Sequence, residues 1–158
     1  MTSYLLVRSG RARYGVPLRD VIEVVDAGEV VFVPAAHPAV RGVSTVRGRL
    51  LPRVHLDGLL TGQAGPAVAP PTLVVAGAGG RSVALEVDDV DLAVQGEVLP
   101  LPAEWDGPSA IGVVQHEGGL IPVLDVPALL TRLSSPGLTY GDVFTAENAE
   151  TAEMKPQR

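Results

Sequence analysis

The sequence predicts a mainly β protein built from two similar lobes, each a small barrel of about five strands with a short helix. Three observations lead to this prediction. The 18 glycines and 14 prolines make up about a fifth of the 158 residues and separate short Val- and Leu-rich runs. The segments at 13–25 and 83–94 are rich in β-branched residues and are bounded by Gly or Pro, as strands are. The third observation is an internal repeat.

Two pairs of segments carry the repeat. GEVVFVPA (28–35) and GEVLPLPA (96–103) are identical at five of eight positions. GVSTVRGRLLPRVHLDGLLT (42–61) and GVVQHEGGLIPVLDVPALLT (112–131) are identical at eight of twenty positions. We therefore expect two copies of one unit, joined by the linker TGQAGPAVAPP.

The repeat also predicts the domain boundaries. Lobe one is expected at about residues 10–60 and lobe two at about residues 70–130, both within one domain that spans 1–133. From residue 134 onward the composition changes, with more Ala, Glu, Ser and Thr. We expect 134–158 to be a C-terminal extension that is partly mobile, because chain ends are usually loose.

Within each copy, the segments RGRLLP and GGLIP predict hairpin turns that lead into a further strand. Only the ends of the copies are predicted to be helical, at 57–61 and 127–133. Asp125 stands just before the second helix, where its carboxylate can cap the free N–H groups of the first turn. His55 holds the matching position in the first copy, so we expect it to have an equivalent structural role at a strand end.

Composition excludes several classes of function. The chain has no cysteine, which rules out disulfides, cysteine nucleophiles, thiolate zinc sites and iron–sulfur clusters. Its apolar runs are far shorter than the ~20 residues of a membrane span, and its start lacks the apolar core of a signal peptide. The net charge is −6 and aromatics are 4%, whereas a nucleic-acid surface is basic and aromatic. We therefore expect a cytoplasmic protein that neither binds nucleic acid nor inserts into a membrane.

Two patterns resemble ligand sites but lack the required context. LVVAGAGGRS (73–82) looks like a strand followed by a phosphate-binding loop. The strand VALEV follows it, however, where a dinucleotide site needs a helix. His37, His55 and His116 lack the close spacing of metal ligands. The sequence therefore predicts neither a cofactor nor a metal.

The acidic cluster of Asp88, Asp89 and Asp91 is the remaining candidate for chemistry. A catalytic carboxylate pair needs desolvation and separated pKa values, whereas acids at a strand edge usually form a solvated face. We therefore predict no catalytic residue and no enzyme. A hydrolase that uses these Asp and His side chains is the alternative from another class.

Charge is unevenly distributed along the chain. The first 60 residues carry a net charge of +3 in a protein of −6, which suits a protein that contacts other proteins. Among these cations, Arg47 stands between an apolar strand and a turn glycine, where the second copy has Glu117. Arg47 is either an ordinary hairpin arginine or one placed for partner recognition or for an ion pair between lobes, since a guanidinium makes directional contacts.

Several segments of the sequence resemble those of a known protein family. VRGVSTVRGRLLPRVHL (40–56) resembles the hallmark of CheW-type chemotaxis coupling proteins, which reads roughly (I/V)-x-G-V-(I/T)-N-L-R-G-x-(I/V)-(I/V)-P-V-(I/V)-D-L. YLLVRSGRARYGVPLRDVIEVV resembles the family's opening strands with their V-x-E-(I/V) segment, and VALEVDDV and LIPVLDVPALL resemble its second half. The resemblance covers about residues 3–133.

The resemblance implies a fold and a function. The fold is two SH3-like five-stranded barrels, in agreement with the repeat, with strands that cross over between the barrels. The function is that of a non-catalytic adaptor that couples the cytoplasmic tip of chemoreceptors (methyl-accepting chemotaxis proteins) to a CheA-type histidine kinase. Such a protein is recruited to receptor arrays at the inner membrane.

The resemblance also implies interaction residues. Val21 and Glu23 match the V-x-E segment, which is implicated in receptor contact. Gly42 and Arg47 match the glycine and arginine of GVxNLRG, which are implicated in receptor coupling. These four residues form the predicted receptor and kinase interaction site.

This sequence departs from the family pattern at three positions. Thr45 replaces the Asn of the motif, His55 replaces its Asp, and Arg53 replaces an apolar residue. A second interpretation is therefore a CheW-like assembly or localisation factor that binds only one of the two partners.

Overall fold

Ten strands form two five-stranded sheets in the computed structural model, which describes residues 1–34, 37–63, 65, 72–105, 107 and 109–133. The expected C-terminal extension at 134–158 lies outside the described residues. The strands are β1 (Thr2–Ser9), β2 (Ala12–Pro17), β3 (Val21–Asp26), β4 (Val40–Val46), β5 (Arg49–His55), β6 (Thr72–Ala78), β7 (Arg81–Val87), β8 (Asp89–Gly96), β9 (Ala110–His116) and β10 (Gly119–Leu124). The helices are α1 (Leu56–Thr61) and α2 (Val126–Leu133), and a 3-10 turn lies at Leu18–Asp20.

The two sheets have the same internal order. The sheet β3-β6-β7-β5-β4 contains residues 21–87 and is called the central lobe below. The sheet β8-β1-β2-β10-β9 comes from both ends of the described chain and is called the terminal lobe. Each sheet has one parallel pair, β5 with β7 and β10 with β2, among antiparallel ones. The predicted mainly β fold of two five-stranded lobes is confirmed.

Each copy of the repeat divides its five strands between the two sheets, and its first two strands lie in one sheet with the last three strands of the other copy. Strand β3 of the first copy pairs with β6 of the second, and β8 of the second copy pairs with β1 of the first. The observed sheets therefore differ from contiguous lobes at 10–60 and 70–130. The 3-10 turn at Leu18–Asp20 leads the chain out of β2 and into the other sheet, which is the crossing of strands that the resemblance implied.

The sequence repeat is also a repeat of backbone geometry. Val31 forms a bridge with Val43, and Leu99 forms the matching bridge with Val113. The β4–β5 turn holds Arg47 at a φ of 50°, and the β9–β10 turn holds Glu117 at 49°, each followed by a glycine of positive φ. Two central residues of positive φ are typical of the tight hairpin turns whose twist matches that of the strands. Both predicted hairpins are confirmed.

Strand β1 is buried on both faces. Tyr4 and Leu6 point into the core of the terminal lobe, whereas Leu5 and Val7 belong to the cluster between the lobes. Strand β6 has the same arrangement in the central lobe. Burial on both faces explains why each of these strands has an unbroken apolar run instead of an alternating pattern.

The two short helices begin with equivalent side-chain caps. The N–H of Ala128 donates to Asp125 Oδ1 at 3.1 Å at the start of α2. At the start of α1, the N–H of Gly58 donates to His55 Nδ1 at 3.1 Å. The predicted cap of Asp125 and the predicted structural role of His55 are both confirmed. An imidazole can replace a carboxylate here because the position needs only a hydrogen-bond acceptor.

The cap makes the fold sensitive to acid. Burial lowers the pKa of His55, with Arg41 as the next cause, and these outweigh the opposing effect of Glu86, Asp57 and Asp88. The unfolded chain takes up the proton at about pH 6.5, whereas the folded protein takes it up only at lower pH. The contribution of neutral His55 to the free energy of unfolding is therefore fully present above pH ~6.5, and it is lost as the pH falls towards the pKa of His55 in the folded protein.

We expect the melting temperature to fall between about pH 7.5 and pH 5.5, and to fall less in the variant His55→Asn. Asn caps helices well and does not titrate. Thermal unfolding followed by circular dichroism gives the slope of melting temperature against pH for the unmodified protein and for the variant. His37, whose pKa is also lowered by burial, accounts for part of the slope that remains in the variant. Equal slopes in both proteins would contradict the assignment to His55.

Candidate functional site

Two of the residues that the resemblance implied lie against each other. Arg47 Nε donates to Glu23 Oε2 at 2.5 Å. Glu23 is on β3 and Arg47 is in the β4–β5 turn, so the pair joins the two edge strands of the central lobe. We call the gap between these edges the seam. The interpretation of Arg47 as part of an ion pair between lobes is wrong, because both residues belong to the central lobe.

Arg47 keeps most of its side chain in solvent. The side chain is 76% exposed, whereas that of Glu23 is only 20% exposed. The hydrogen bond from the guanidinium to Glu23 raises the pKa of Arg47 above its ordinary value. The arrangement therefore presents an oriented cation at the surface, with its planar face and remaining N–H groups free to meet a partner.

Val21 and Gly42 have structural positions beside this pair. Val21 begins β3 and packs against the cluster between the lobes. Gly42 has a φ of 144°, and a Cβ atom at this position would lie 2.1 Å from the carbonyl oxygen of Val31. The glycine is required here because the segment after β3 crosses β4 at this point. The four predicted residues thus share the central lobe, and Glu23 and Arg47 are in direct contact.

Exposed apolar side chains lie on β3 and in the segment that follows it. On β3, Ile22 and Val24 point outward, with Ile22 54% exposed. In the segment after β3, Val30, Val31 and Phe32 are exposed, with Phe32 at 76%. Isolated exposed apolar residues are common, but several of them on two consecutive segments are typical of a protein-binding surface.

A shallow pocket opens along the seam beside Arg47. Its walls come from both edges of the central lobe, with Val25 and Asp26 on one side and Thr45 and Val46 on the other. Thr45 is exposed and replaces the motif asparagine. Among the three departures from the family motif, Thr45 is therefore the one that lies at the surface.

A buried ionic cluster holds the segment that follows β3. Arg53 Nε donates to Glu86 Oε2 at 2.9 Å, and both side chains are almost fully buried. Arg41 reaches the other oxygen of Glu86 at 3.2 Å. Arg53 also donates to the carbonyl of Gly28 at 2.9 Å, and Ser44 donates to the carbonyl of Glu29 at 3.0 Å. The cluster therefore fixes the backbone just before the exposed apolar residues 30–32.

Sequence reasoning missed this cluster. It noted Arg53 only as a departure from an apolar position. The signal that could have found it is the comparison of the copies, since Val123 of the second copy matches Arg53. A charge at a position that the repeat keeps apolar indicates a buried partner, because isolated buried charges are very costly.

The glycine-rich segment is a hairpin. Gly79 and Gly80 form the turn between β6 and β7, both with positive φ, and β7 follows directly. The predicted succession of strand, glycine turn and strand is therefore observed here.

Residues of the acidic cluster bind the β1–β2 hairpin and so connect it to β8. Asp88 Oδ2 accepts from the N–H of Gly10 at 2.6 Å, and Asp91 pairs with Arg13 at 3.1 Å. These acids therefore have structural partners. Over the described ranges, no group of three or more His, Cys, Asp or Glu side chains could hold a metal ion. No helix in the described part of the chain is long and apolar enough to cross a bilayer.

The two five-stranded lobes share strands from both copies, and the central lobe carries an oriented ion pair and several exposed apolar side chains. These features are typical of a protein-binding scaffold. The profile of the CheW-like domain family matches residues 3–134, and the chain belongs to this family. It is therefore a coupling or scaffold protein of the chemotaxis type, and the resemblance seen in the sequence is confirmed.

Individual proteins agree with this assignment. The chain is 33% identical to Protein FrzA of Myxococcus xanthus over 122 residues, which cover 73% of this chain and 75% of FrzA. The crystal structure of the scaffolding protein TtCheW from Thermoanaerobacter tengcongensis superposes with a TM-score of 0.72 at 17% identity. That match covers 81% of this chain and 86% of TtCheW, and it shows that the fold is shared.

Proposed function

We propose that this protein is a non-catalytic adaptor that links the cytoplasmic tip of a chemoreceptor to a CheA-type histidine kinase. The observation that carries the proposal is the contact between Glu23 and Arg47. These residues are 24 positions apart in the chain, yet they meet at one exposed place. They are also the residues that the family motifs implicate in receptor contact.

Two of the three departures from the family motif support this function because the interior accommodates them. His55 still caps α1 in the place of the usual Asp. Arg53 is paired with Glu86 in the place of an apolar contact. Both side chains are buried, so neither is itself part of the exposed surface at the seam, and the two substitutions are compatible with coupling.

Thr45 favours a second candidate function. It lies in the pocket beside Arg47, where the family motif has an asparagine. A shorter, β-branched side chain there changes the surface offered to the receptor but not the rest of the fold. Under this alternative the protein binds only one of the two partners and acts in assembly or localisation.

The test of the main proposal is Arg47→Glu. Glu117 occupies the same left-handed turn position in the second copy at a φ of 49°, so a glutamate is compatible with this backbone. We expect the variant to fold with an almost unchanged melting temperature. Its affinity for a receptor signalling-tip fragment should fall at least about tenfold, because arginines at the centre of interfaces are frequent hot spots.

Isothermal titration with the receptor fragment and, separately, with CheA measures the two interactions. The matched control is Glu117→Arg, which changes the same turn in the terminal lobe and should leave receptor affinity nearly unchanged. The double variant Glu23→Arg/Arg47→Glu restores an ion pair with reversed polarity. We expect it to remain defective in receptor binding. Full recovery would mean that the pair has only a structural role, and unchanged receptor affinity in Arg47→Glu would remove Arg47 from the site.

Binding of the unmodified protein decides between the two candidate functions. The adaptor must bind both the receptor fragment and CheA in one complex. An assembly or localisation factor binds one of them and not the other. Size-exclusion chromatography of the three-component mixture shows which complex forms.

A further inference from the structure

The guanidinium of Arg53 connects the interior of the central lobe to the segment that follows β3. Its Nε donates to Glu86 at 2.9 Å, and its Nη1 donates to the carbonyl of Gly28 at 2.9 Å and to Ser44 Oγ at 3.4 Å. Ser44 in turn donates to the carbonyl of Glu29 at 3.0 Å. Two successive carbonyls are therefore bound to one buried polar network. Because a guanidinium bonds in fixed directions, Glu86 sets the orientation in which Arg53 meets this backbone.

The backbone that is held in this way belongs to the surface at the seam. Gly28 lines the pocket along the seam together with Arg47. Val31 is bound to Val43 through both of its backbone groups, and the next side chain, that of Phe32, is 76% exposed. The buried ionic cluster and the exposed apolar side chains are thus joined by two or three residues of backbone.

The second copy shows that the backbone bridge forms without buried charges. Leu99 makes the same bridge there, and the position of Arg53 is taken by Val123, which is fully buried. The matching segments differ in exposure, because Val98 packs against the core of the terminal lobe whereas Val30 is exposed. The cluster therefore accompanies the copy whose segment presents apolar side chains to solvent.

Stability alone does not explain a buried ion pair at this position. Such pairs are rarely more stabilising than apolar side chains of similar volume, and their best supported use is to specify one conformation. A segment that is already fixed also loses less conformational entropy when a partner binds to it. Both arguments assign the cluster to the arrangement of the surface above it.

We propose that Arg53 and Glu86 are positioning residues for the partner-binding surface of this chain. They act through the backbone at 28–29, which they hold so that Phe32 and the pocket beside Arg47 are arranged before the partner binds. The inference rests on the proposed function, because the partner is the receptor signalling tip named there.

Hydrogen exchange in the absence of a partner tests the positioning. In the variant Arg53→Val/Glu86→Leu, the N–H of Val31, which donates to Val43 at 2.8 Å, should exchange at least about tenfold faster. The matched control is the N–H of Leu99, which donates to Val113 at 2.7 Å in the terminal lobe and should keep its rate. An unchanged rate at Val31, or equal acceleration at both amides, would overturn the proposal.

A milder variant serves if the double variant does not fold. Ser44→Ala removes the hydrogen bond to the carbonyl of Glu29 and leaves the buried ion pair in place. We expect it to accelerate exchange at Val31 at least about threefold, again with no change at Leu99. Unchanged exchange at Val31 in a folded Ser44→Ala protein would count against the network as the element that holds the segment.

Affinity for the receptor signalling-tip fragment tests the consequence for binding. Arg53→Val/Glu86→Leu should lower this affinity at least about fivefold, and Phe32→Ala should lower it at least about tenfold, since exposed aromatics are frequent hot spots. If the cluster acts through the segment, the triple variant loses little more than Phe32→Ala alone, because the two effects share one path. Losses that multiply, or an unchanged affinity in Arg53→Val/Glu86→Leu, would overturn the proposal.

Failure of this inference and failure of the proposed function give different results. If the unmodified protein does not bind the receptor fragment, the proposed function is wrong, and the exchange rates of Val31 and Leu99 alone decide whether the cluster positions the segment. If Arg47→Glu weakens receptor binding while Arg53→Val/Glu86→Leu binds as tightly as the unmodified protein, the proposed function stands and the positioning role is overturned.

Discussion

Replacing Arg53 by valine is expected to lower the free energy of unfolding by about 3–5 kcal/mol. The substitution leaves the carboxylate of Glu86, which is 2% exposed, without its 2.9 Å partner on β5. Arg41 still reaches Glu86, but one partly exposed cation cannot replace the lost bonds to both Glu86 and the carbonyl of Gly28. Breaking a buried pair by removing one partner is costly because the other charge stays buried.

The double variant Arg53→Val/Glu86→Leu is the control. It removes both buried charges, so we expect it to recover most of the lost stability, as apolar replacements of buried ion pairs often do. Val123→Arg gives a second comparison. Val123 is opposite Gly15 as Arg53 is opposite Ala84, so Pro17 stands in the terminal lobe where the central lobe has Glu86. Val123→Arg should destabilise by a similar amount. Urea unfolding measures all three, and equal stability of the single and double variants at Arg53 would contradict the argument.

Gly42→Ala is expected to lower the free energy of unfolding by about 3 kcal/mol or more. The added Cβ would lie 2.1 Å from the carbonyl oxygen of Val31, at a φ that side chains rarely adopt. That carbonyl accepts from the N–H of Val43 at 2.9 Å, and the N–H of Val31 donates back at 2.8 Å. The clash therefore breaks the bridge that brings the segment after β3 against β4.

Gly48→Ala is the matched control for conformation alone. Gly48 also has a positive φ, but nothing lies within 4 Å of its added Cβ, so we expect a cost of only about 1–2 kcal/mol. Chemical denaturation of both variants gives the difference. If Gly42→Ala proves no more costly than Gly48→Ala, steric exclusion at Gly42 is wrong.

The steric role of Gly42 changes how a coupling defect in its variants is interpreted. A coupling defect in a Gly42 variant follows from the lost bridge, whether or not a receptor touches the glycine. Gly112 in the second copy has the same requirement, with its added Cβ 2.4 Å from the carbonyl oxygen of Leu99. Arg47, whose variants should remain folded, is therefore the better residue for testing receptor contact.

Features that depend only on neighbouring residues could be predicted from the sequence. Glycine spacing and the repeat predicted the hairpins at Arg47 and Glu117, because a tight turn needs only its own backbone to be recognised. The match of His55 with Asp125 in the repeat predicted an equivalent structural role, because a helix cap acts within three residues. Two copies of such local signals were enough to predict two five-stranded lobes.

Only the tertiary structure decided which strands pair and which charges meet. By pattern alone, the first two strands of a copy fit a sheet with the last three strands of either copy, and the observed combination depends on how the whole chain packs. The contacts Glu23–Arg47 and Arg53–Glu86 join residues 24 and 33 positions apart. Such pairs produce no periodic pattern in the sequence, because their strands become neighbours only when the chain folds.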